Sequence, residues 1–129
     1  MKIDVRADDI DEMDHVNNAV YLRWVQTAAV AHWRELATPE MQVGTVWVVL
    51  RHEIDYKQPA LAGDELLAET WVGEATRITF ERHTEILRRG SRQLLAKART
   101  LWCPLDVKTR RPKRVDAELR ARFSVGGAG

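Results

Sequence analysis

The segment Asp9-Ile10-Asp11-Glu12-Met13-Asp14-His15-Val16-Asn17-Asn18-Ala19-Val20-Tyr21-Leu22 crowds carboxylates, an imidazole and two amides just before a run with helical periodicity. The first turn of a helix carries backbone N–H groups without intrahelical acceptors, at the positive end of the helix dipole. Such a place attracts anions. It holds the oxyanion of a tetrahedral intermediate more strongly than the carbonyl from which it forms, which is the condition for catalysis. The matching chemistry is hydrolysis of an activated acyl group. The backbone N–H of Asn18 is the candidate oxyanion donor, and Asp11, in the approach loop, is the candidate to attack the carbonyl carbon or take a proton from water. His15 can hydrogen-bond the carbonyl or hold Asp11, while Asn17 or Asn18 can cap the helix. Asp and Asn before a helix are also its ordinary caps, so the residues alone reach only an anion or carbonyl site.

The elements that must position this segment follow from periodicity. Lys2 to Ala7 alternates as a short strand. Asn18 to about Leu36 reads as one helix, roughly 28 Å long at 1.5 Å per residue. Only Arg23, Gln26, Thr27 and Arg34 form a polar stripe on it, so other structure is expected to surround it. After Thr38-Pro39 the chain reads mostly as strand: Thr45 to Lys57, Glu65 to Ala75, Arg77 to Arg88 and Arg92 to Cys103. Leu50, His52, Ile54 and Tyr56 should share one side of the first of these, opposite Arg51, Glu53, Asp55 and Lys57. Arg89-Gly90-Ser91 predicts a hairpin. Asp116 to Arg122 predicts a short amphipathic helix, and Gly126 to Gly129 a frayed tail. A short strand, a long buried helix and four strands give an α+β domain with an antiparallel sheet curled around the helix. Trp47, Trp71 and Trp102 are expected at outer or edge positions, where they would favour contacts between subunits.

Composition bounds the function. The 129 residues suffice for one domain and one core. A net charge of +1, from 20 basic and 19 acidic residues, argues against a nucleic-acid binder. A single cysteine, no leader pattern and no long uncharged apolar run lead us to expect a soluble cytoplasmic protein without membrane association. Ser91 and Ser124 sit in no G-x-S-x-G elbow. Cys103 reads as a buried small residue. His15, His32, His52 and His83 have no metal-ligand spacing, so no metal is expected. His52 and His83 should pack or hydrogen-bond locally within strands. Two basic clusters can meet anionic phosphates: Arg88, Arg89 and Arg92 at the hairpin, and Lys108, Arg110, Arg111, Lys113 and Arg114 in the later loop.

The run Asp9-x-Asp11 followed by His15-Val16-Asn17-Asn18-Ala19-x-Tyr21-Leu22 resembles the signature of the hot-dog-fold thioesterases, particularly the 4-hydroxybenzoyl-CoA thioesterase-like family and the plant-type acyl carrier protein thioesterases. Ile54-Asp55-Tyr56-Lys57-x-Pro59-Ala60 and Gly63-Asp64-Glu65-Leu66 extend the likeness over nearly the whole chain. The resemblance implies a curved sheet wrapped around one central helix. It implies Asp11 as the catalytic carboxylate and the Asn18 N–H as the oxyanion donor, with Asn17 and Tyr21 as substrate contacts. It further implies an acyl-CoA or acyl carrier protein thioester as substrate, and a homodimer or homotetramer with active sites at subunit interfaces. No cofactor is expected, because the thioester is already activated. Two positions depart from the pattern. Asp14 stands where the family commonly has Gly, adding charge near the site, and Met13 stands where the plant enzymes have Asn, removing a polar contact from His15. A hot-dog hydratase or dehydratase is the alternative enzyme, but its Asp-x-Asn-Pro motif spaces acid and His one residue further apart than Asp11 and His15. A noncatalytic acyl-CoA-binding module is the alternative outside enzymes.

Overall fold

The computed structural model describes residues 1–127, with side chains through Phe123; Ala128 and Gly129, the end of the segment expected to fray, lie outside the described residues. Five strands form one antiparallel sheet in the order β1-β3-β4-β5-β2. They are β1 (Lys2–Asp4), β2 (Thr45–Tyr56), β3 (Glu65–Ala75), β4 (Phe80–Arg88) and β5 (Leu94–Asp106). Helix α1 (Asn18–Leu36) lies against β3 and β4. Two shorter helices follow, α2 (Pro39–Gly44) and α3 (Ala117–Gly127). α3 runs on beyond the expected Arg122, into the first glycines of the predicted tail.

The register explains how α1 seats. Ala68, Ile86 and Ala96 pair across β3, β4 and β5, and Thr70, Thr84 and Ala98 form the next row. Small side chains on this inner face let α1 approach with Tyr21, Trp24, Val25, Ala28 and Ala29 buried. One core joins the start of α1 to Ile3, Ala60, Leu66 and Leu95, and a second gathers Ala37, Phe80, Val115, Leu119 and Phe123 under α3. The hairpin at Arg89-Gly90-Ser91 closes as expected, with Gly90 at φ 84° and Arg92 at φ 58°.

Three expectations need correction. The chain itself buries only one face of α1; Ala19, Ala31 and Val30, the last 40% exposed, face outward. Trp47 does lie on the edge strand β2, but neither its side chain nor that of Trp102 sits on the outer surface. A bulge at Leu50, between Val49 and Arg51, inverts the alternation of β2 and turns Trp47 inward, where it packs edge-on to Trp33, while Trp102 pairs with Phe80 on the same inner face. Trp71 does lie outside, stacked on His83. Finally, α2 occupies a segment read as a break: Thr38 caps it through the Met41 N–H at 3.2 Å and Pro39 opens it.

Candidate active site

The approach to α1 is a tight turn built on Asp11. Its N–H donates to the His15 carbonyl at 2.8 Å, and its Oδ1 accepts from the Met13 and His15 N–H groups at 2.9 and 3.2 Å. Closing so short a loop requires a left-handed residue, and Asp14 supplies it at φ 60°. This is the position where Gly was expected from the resemblance, and the geometry gives the reason. His15 thus holds Asp11 through its main chain; its imidazole has no hydrogen bond among the described residues.

The turn is anchored from beneath by Asp9, a carboxylate that sequence reasoning left without a role. Asp9 is 2% exposed. Its Oδ1 accepts from Arg23 on α1 at 2.9 Å and its Oδ2 from the Arg6 N–H at 2.9 Å, while its carbonyl receives the Asn17 N–H at 2.8 Å. Burial alone would raise its pKa, but the Arg6 N–H and the Arg23 guanidinium outweigh burial and hold the carboxyl below its ordinary value. Helix and loop are thereby fixed to each other. The sequence signal was the placement of Arg23 on the polar stripe facing the loop.

Asn17 caps α1, its side-chain oxygen accepting from the Ala19 N–H at 3.0 Å. The Asn17 N–H is used by Asp9, and the Asn18 N–H has no acceptor among the described residues. One donor at the positive end of the helix is therefore left open. Asp11, His15, Asn18 and Tyr21 all line one cleft of about 210 Å³, with Tyr56, Lys57, Gln58 and Pro59 as its other wall. Tyr56 donates to the Asn18 carbonyl at 3.1 Å, and the Tyr21 hydroxyl receives the Ala60 N–H at 3.0 Å. Their rings meet edge to face, with centroids 5.2 Å apart. This arrangement offers a carboxylate, an imidazole and an open N–H to a carbonyl group.

A family model for the thioesterase-like superfamily matches residues 5–123. The chain belongs to the thioesterase-like superfamily. Its architecture is the hot-dog fold, with α1 as the central helix. A thioesterase of Thermus thermophilus solved with coenzyme A and Zn superposes with a TM-score of 0.85 at 25% identity, covering 100% of this chain and 93% of that one. The "probable thioesterase" YbaW of Escherichia coli gives 0.81 at 26% identity, covering 95% and 93%. Among curated relatives, the chloroplastic acyl-[acyl-carrier-protein] hydrolase FATB3 of Cuphea viscosissima is 31% identical over 84 residues, 64% of this chain. The chain spans 20% of the length of that relative and 31% of the palmitoyl-acyl carrier protein thioesterase of Gossypium hirsutum.

In this thioesterase-like chain, several expected substrate contacts have other work. Asn17 does not line the cleft; its acceptor serves the cap. Tyr21 lines it only as a wall, 2% exposed, with its hydroxyl turned to Ala60. The hairpin arginines each meet an acceptor of this chain: Arg88 contacts Asp64 at 3.0 Å, the Pro59 carbonyl at 3.3 Å and the Gln93 side chain, Arg89 contacts Glu65 at 3.4 Å, and Arg92 contacts Glu69 at 2.6 Å. Arg88 therefore buttresses the Pro59 wall. Arg89 and Arg92 are exposed pairs of the kind that contributes little. The cation that does line the cleft is Lys57, which the sequence reading passed over as one residue of an alternating strand. Among the described residues no three His, Cys, Asp or Glu side chains gather as a metal site, and no helix is long and apolar enough to cross a membrane. His52 bonds Thr100 at 2.9 Å and His83 bonds Glu81 at 2.5 Å, the local roles expected of both.

Proposed function

We propose that this protein hydrolyses an acyl thioester to the free acid and the thiol, with acyl-CoA as the primary substrate. The observation that carries the reading is the open Asn18 N–H at the head of α1, in the same cleft as Asp11. The thioester carbonyl oxygen would accept from that N–H, which stabilises the negative charge that develops on it. Asp11 would then either attack the carbonyl carbon, expelling the thiolate and leaving an anhydride for water to cleave, or deprotonate water that attacks directly. Water is the only co-reactant. Lys57, on the cleft wall, offers a cation to a carrier phosphate. The coenzyme A held by the similar Thermus thioesterase supports CoA, while the name of the Cuphea relative keeps acyl carrier protein as a second carrier. The unpaired edge of β2 and the open face of α1 support assembly as a homodimer, or a homotetramer of two such pairs. Cytoplasmic residence accords with this chemistry.

Free-thiol release from a panel of acyl-CoA and acyl carrier protein thioesters tests the reading. Turnover that falls about 10²–10⁴-fold in Asp11→Asn is expected. Release at the uncatalysed rate by the native protein, despite saturable acyl-CoA binding, would make it a binding module instead. A single turnover in heavy-oxygen water, with hydroxylamine trapping beside it, separates the two roles: label in the Asp11 side chain marks an anhydride opened at the aspartyl carbonyl, and when the label is in the acid alone, a trapped acyl-enzyme marks an anhydride opened at the acyl carbon while its absence marks general base catalysis.

A further inference from the structure

Beside the second half of α1 lies a cavity of about 60 Å³ that the chemistry above does not use. It exceeds the roughly 10–15 Å³ that one water requires. Trp33, Trp47, Phe80, Trp102 and Phe123 wall it, and it shares Val30, Trp33, Trp47 and Trp102 with a wider cleft of about 720 Å³ between α1 and β2. Set among these rings is Arg82, only 7% exposed.

Arg82 has no counter-charge among the described residues. Among the described residues no carboxylate pairs with it; Nη1 donates to His32 Nδ1 at 2.9 Å and to Thr70 Oγ1 at 3.0 Å, both uncharged partners. His32 stays neutral, since burial first and the Arg82 charge second lower its pKa. The remaining N–H groups of the guanidinium, on Nε and Nη2, have no protein acceptor among the described residues and are not sealed off, so a molecule in the cavity can meet them. Burial lowers the Arg82 pKa to about 10, which still leaves it protonated at neutral pH. The indole N–H groups of Trp47 and Trp102 are sealed in the surrounding packing, without acceptors among the described residues. A pocket meant only for hydrocarbon would gain nothing from a buried cation, whose desolvation is costly unless an anion or acceptor meets it. The donors that a ligand can reach are those of Arg82, so the partner that fits the cavity is an acceptor, and a charged one.

The position of the cavity links it to the thioester. The Tyr56 end of β2 touches Asn18, while its Trp47 end walls the cavity. Within one chain the two sites are separated by the length of α1 from Asn18 to Trp33, about 22 Å. Two β2 edges paired antiparallel about a two-fold axis bring the Trp47 end of one subunit beside the Tyr56 end of its partner.

We propose that Arg82 determines acyl specificity: the cavity receives the far end of an acyl group that carries a distal carboxylate, with the guanidinium meeting the charge and the indole and phenyl walls covering the apolar stem. The proposal rests on the thioesterase reading and the β2-paired dimer. Its test pairs turnover with direct binding. ω-Carboxyacyl-CoAs from succinyl to sebacoyl, and 4-carboxybenzoyl-CoA, are each compared with the uncharged acyl-CoA of equal length. At the favoured length, kcat/KM should exceed that of the uncharged counterpart by about tenfold or more, a ratio that collapses towards one in Arg82→Met and survives in part in Arg82→Lys. Benzoate should quench tryptophan fluorescence saturably and more tightly than benzamide, and Arg82→Met should abolish that difference while near-ultraviolet circular dichroism stays native. No preference for carboxylated acyl groups at any length, or the same preference in Arg82→Met, would overturn the proposal. If no thioester is turned over at all, the thioesterase reading fails by itself. The benzoate titration then judges the pocket, and equal binding of benzoate and benzamide shows that Arg82 only ties α1 to the sheet.

Discussion

Because Asp11 Oδ1 accepts two backbone N–H groups, removing its carboxylate removes a turn anchor as well as a charge. Asn retains that acceptor and Ala does not. Asp11→Asn and Asp11→Ala should therefore lose similar activity in thiol-release assays, while only Asp11→Ala loses stability, by about 1–2 kcal/mol in urea denaturation. Equal loss of stability would mean that the turn bonds contribute nothing. Asp14 supplies a second residue-scale test. Its left-handed φ of 60° is tolerated by Asp and freely adopted by Gly, so Asp14→Gly should leave the unfolding midpoint unchanged or slightly raised. Asp14→Val should cost about 1–2 kcal/mol, because a branched Cβ clashes in that conformation. The motif residues are readable at this scale because their neighbours in sequence are their neighbours in space: Asp11, His15, Asn18 and Tyr21 line one cleft. The arginines were not. Their acceptors Asp64, Glu65 and Glu69 are remote in sequence, so a cluster that reads as free positive charge is largely neutralised once the strands pair.

At the scale of elements, α1 is held to its approach loop by the Asp9–Arg23 pair, and this contact carries a pH dependence. The folded pKa of Asp9 lies below its unfolded value of 3.8, so the stabilisation is complete above that value and disappears as pH falls through the folded pKa. Glu81 behaves likewise from 4.5: burial raises its pKa, but Arg99 and His83 more than reverse the effect. Thermal unfolding followed on acidification should show the midpoint falling in the region below these values. Asp9→Asn should start about 1–3 kcal/mol less stable and fall less steeply, and a parallel decline in both proteins would refute the assignment. Element boundaries were legible where chemistry marks them. α1 runs over Asn18–Leu36 as read, with Asn17 as its cap. α2 escaped notice because Pro39–Gly44 is too short to show a period, although its Thr38-Pro39-Glu40 start carries the usual cap and Pro. The inward facing of Trp47 is not legible in the sequence, because the bulge at Leu50 reverses which side chains face inward and the alternation that starts at Leu50 does not carry across it.

For the whole molecule, the two sheet edges differ sharply. β1 is three residues long and offers little, whereas β2 presents twelve residues without a proline and pairs only with β5. Unpaired strand edges of that length normally find a partner or are covered. Beside this edge the outward face of α1 leaves Val30 exposed, and Leu50, at the bulge, is 57% exposed. Helix apolarity, which led us to expect a fully enclosed α1, is thus only half satisfied by one chain. A second copy paired along β2 would bury both features, and the Arg82 cavity would then lie next to the thioester of the partner. If so, folding and association are linked, and the unfolding midpoint must rise with protein concentration. Leu50→Glu should weaken the assembly without touching the Asp11 turn. Sedimentation should then show the native protein as a dimer or larger and the variant shifted towards monomer, with thiol release falling in proportion to the dimer lost. A native protein that sediments as a monomer across micromolar concentrations and still turns over acyl-CoA would place every group the reaction needs within a single chain.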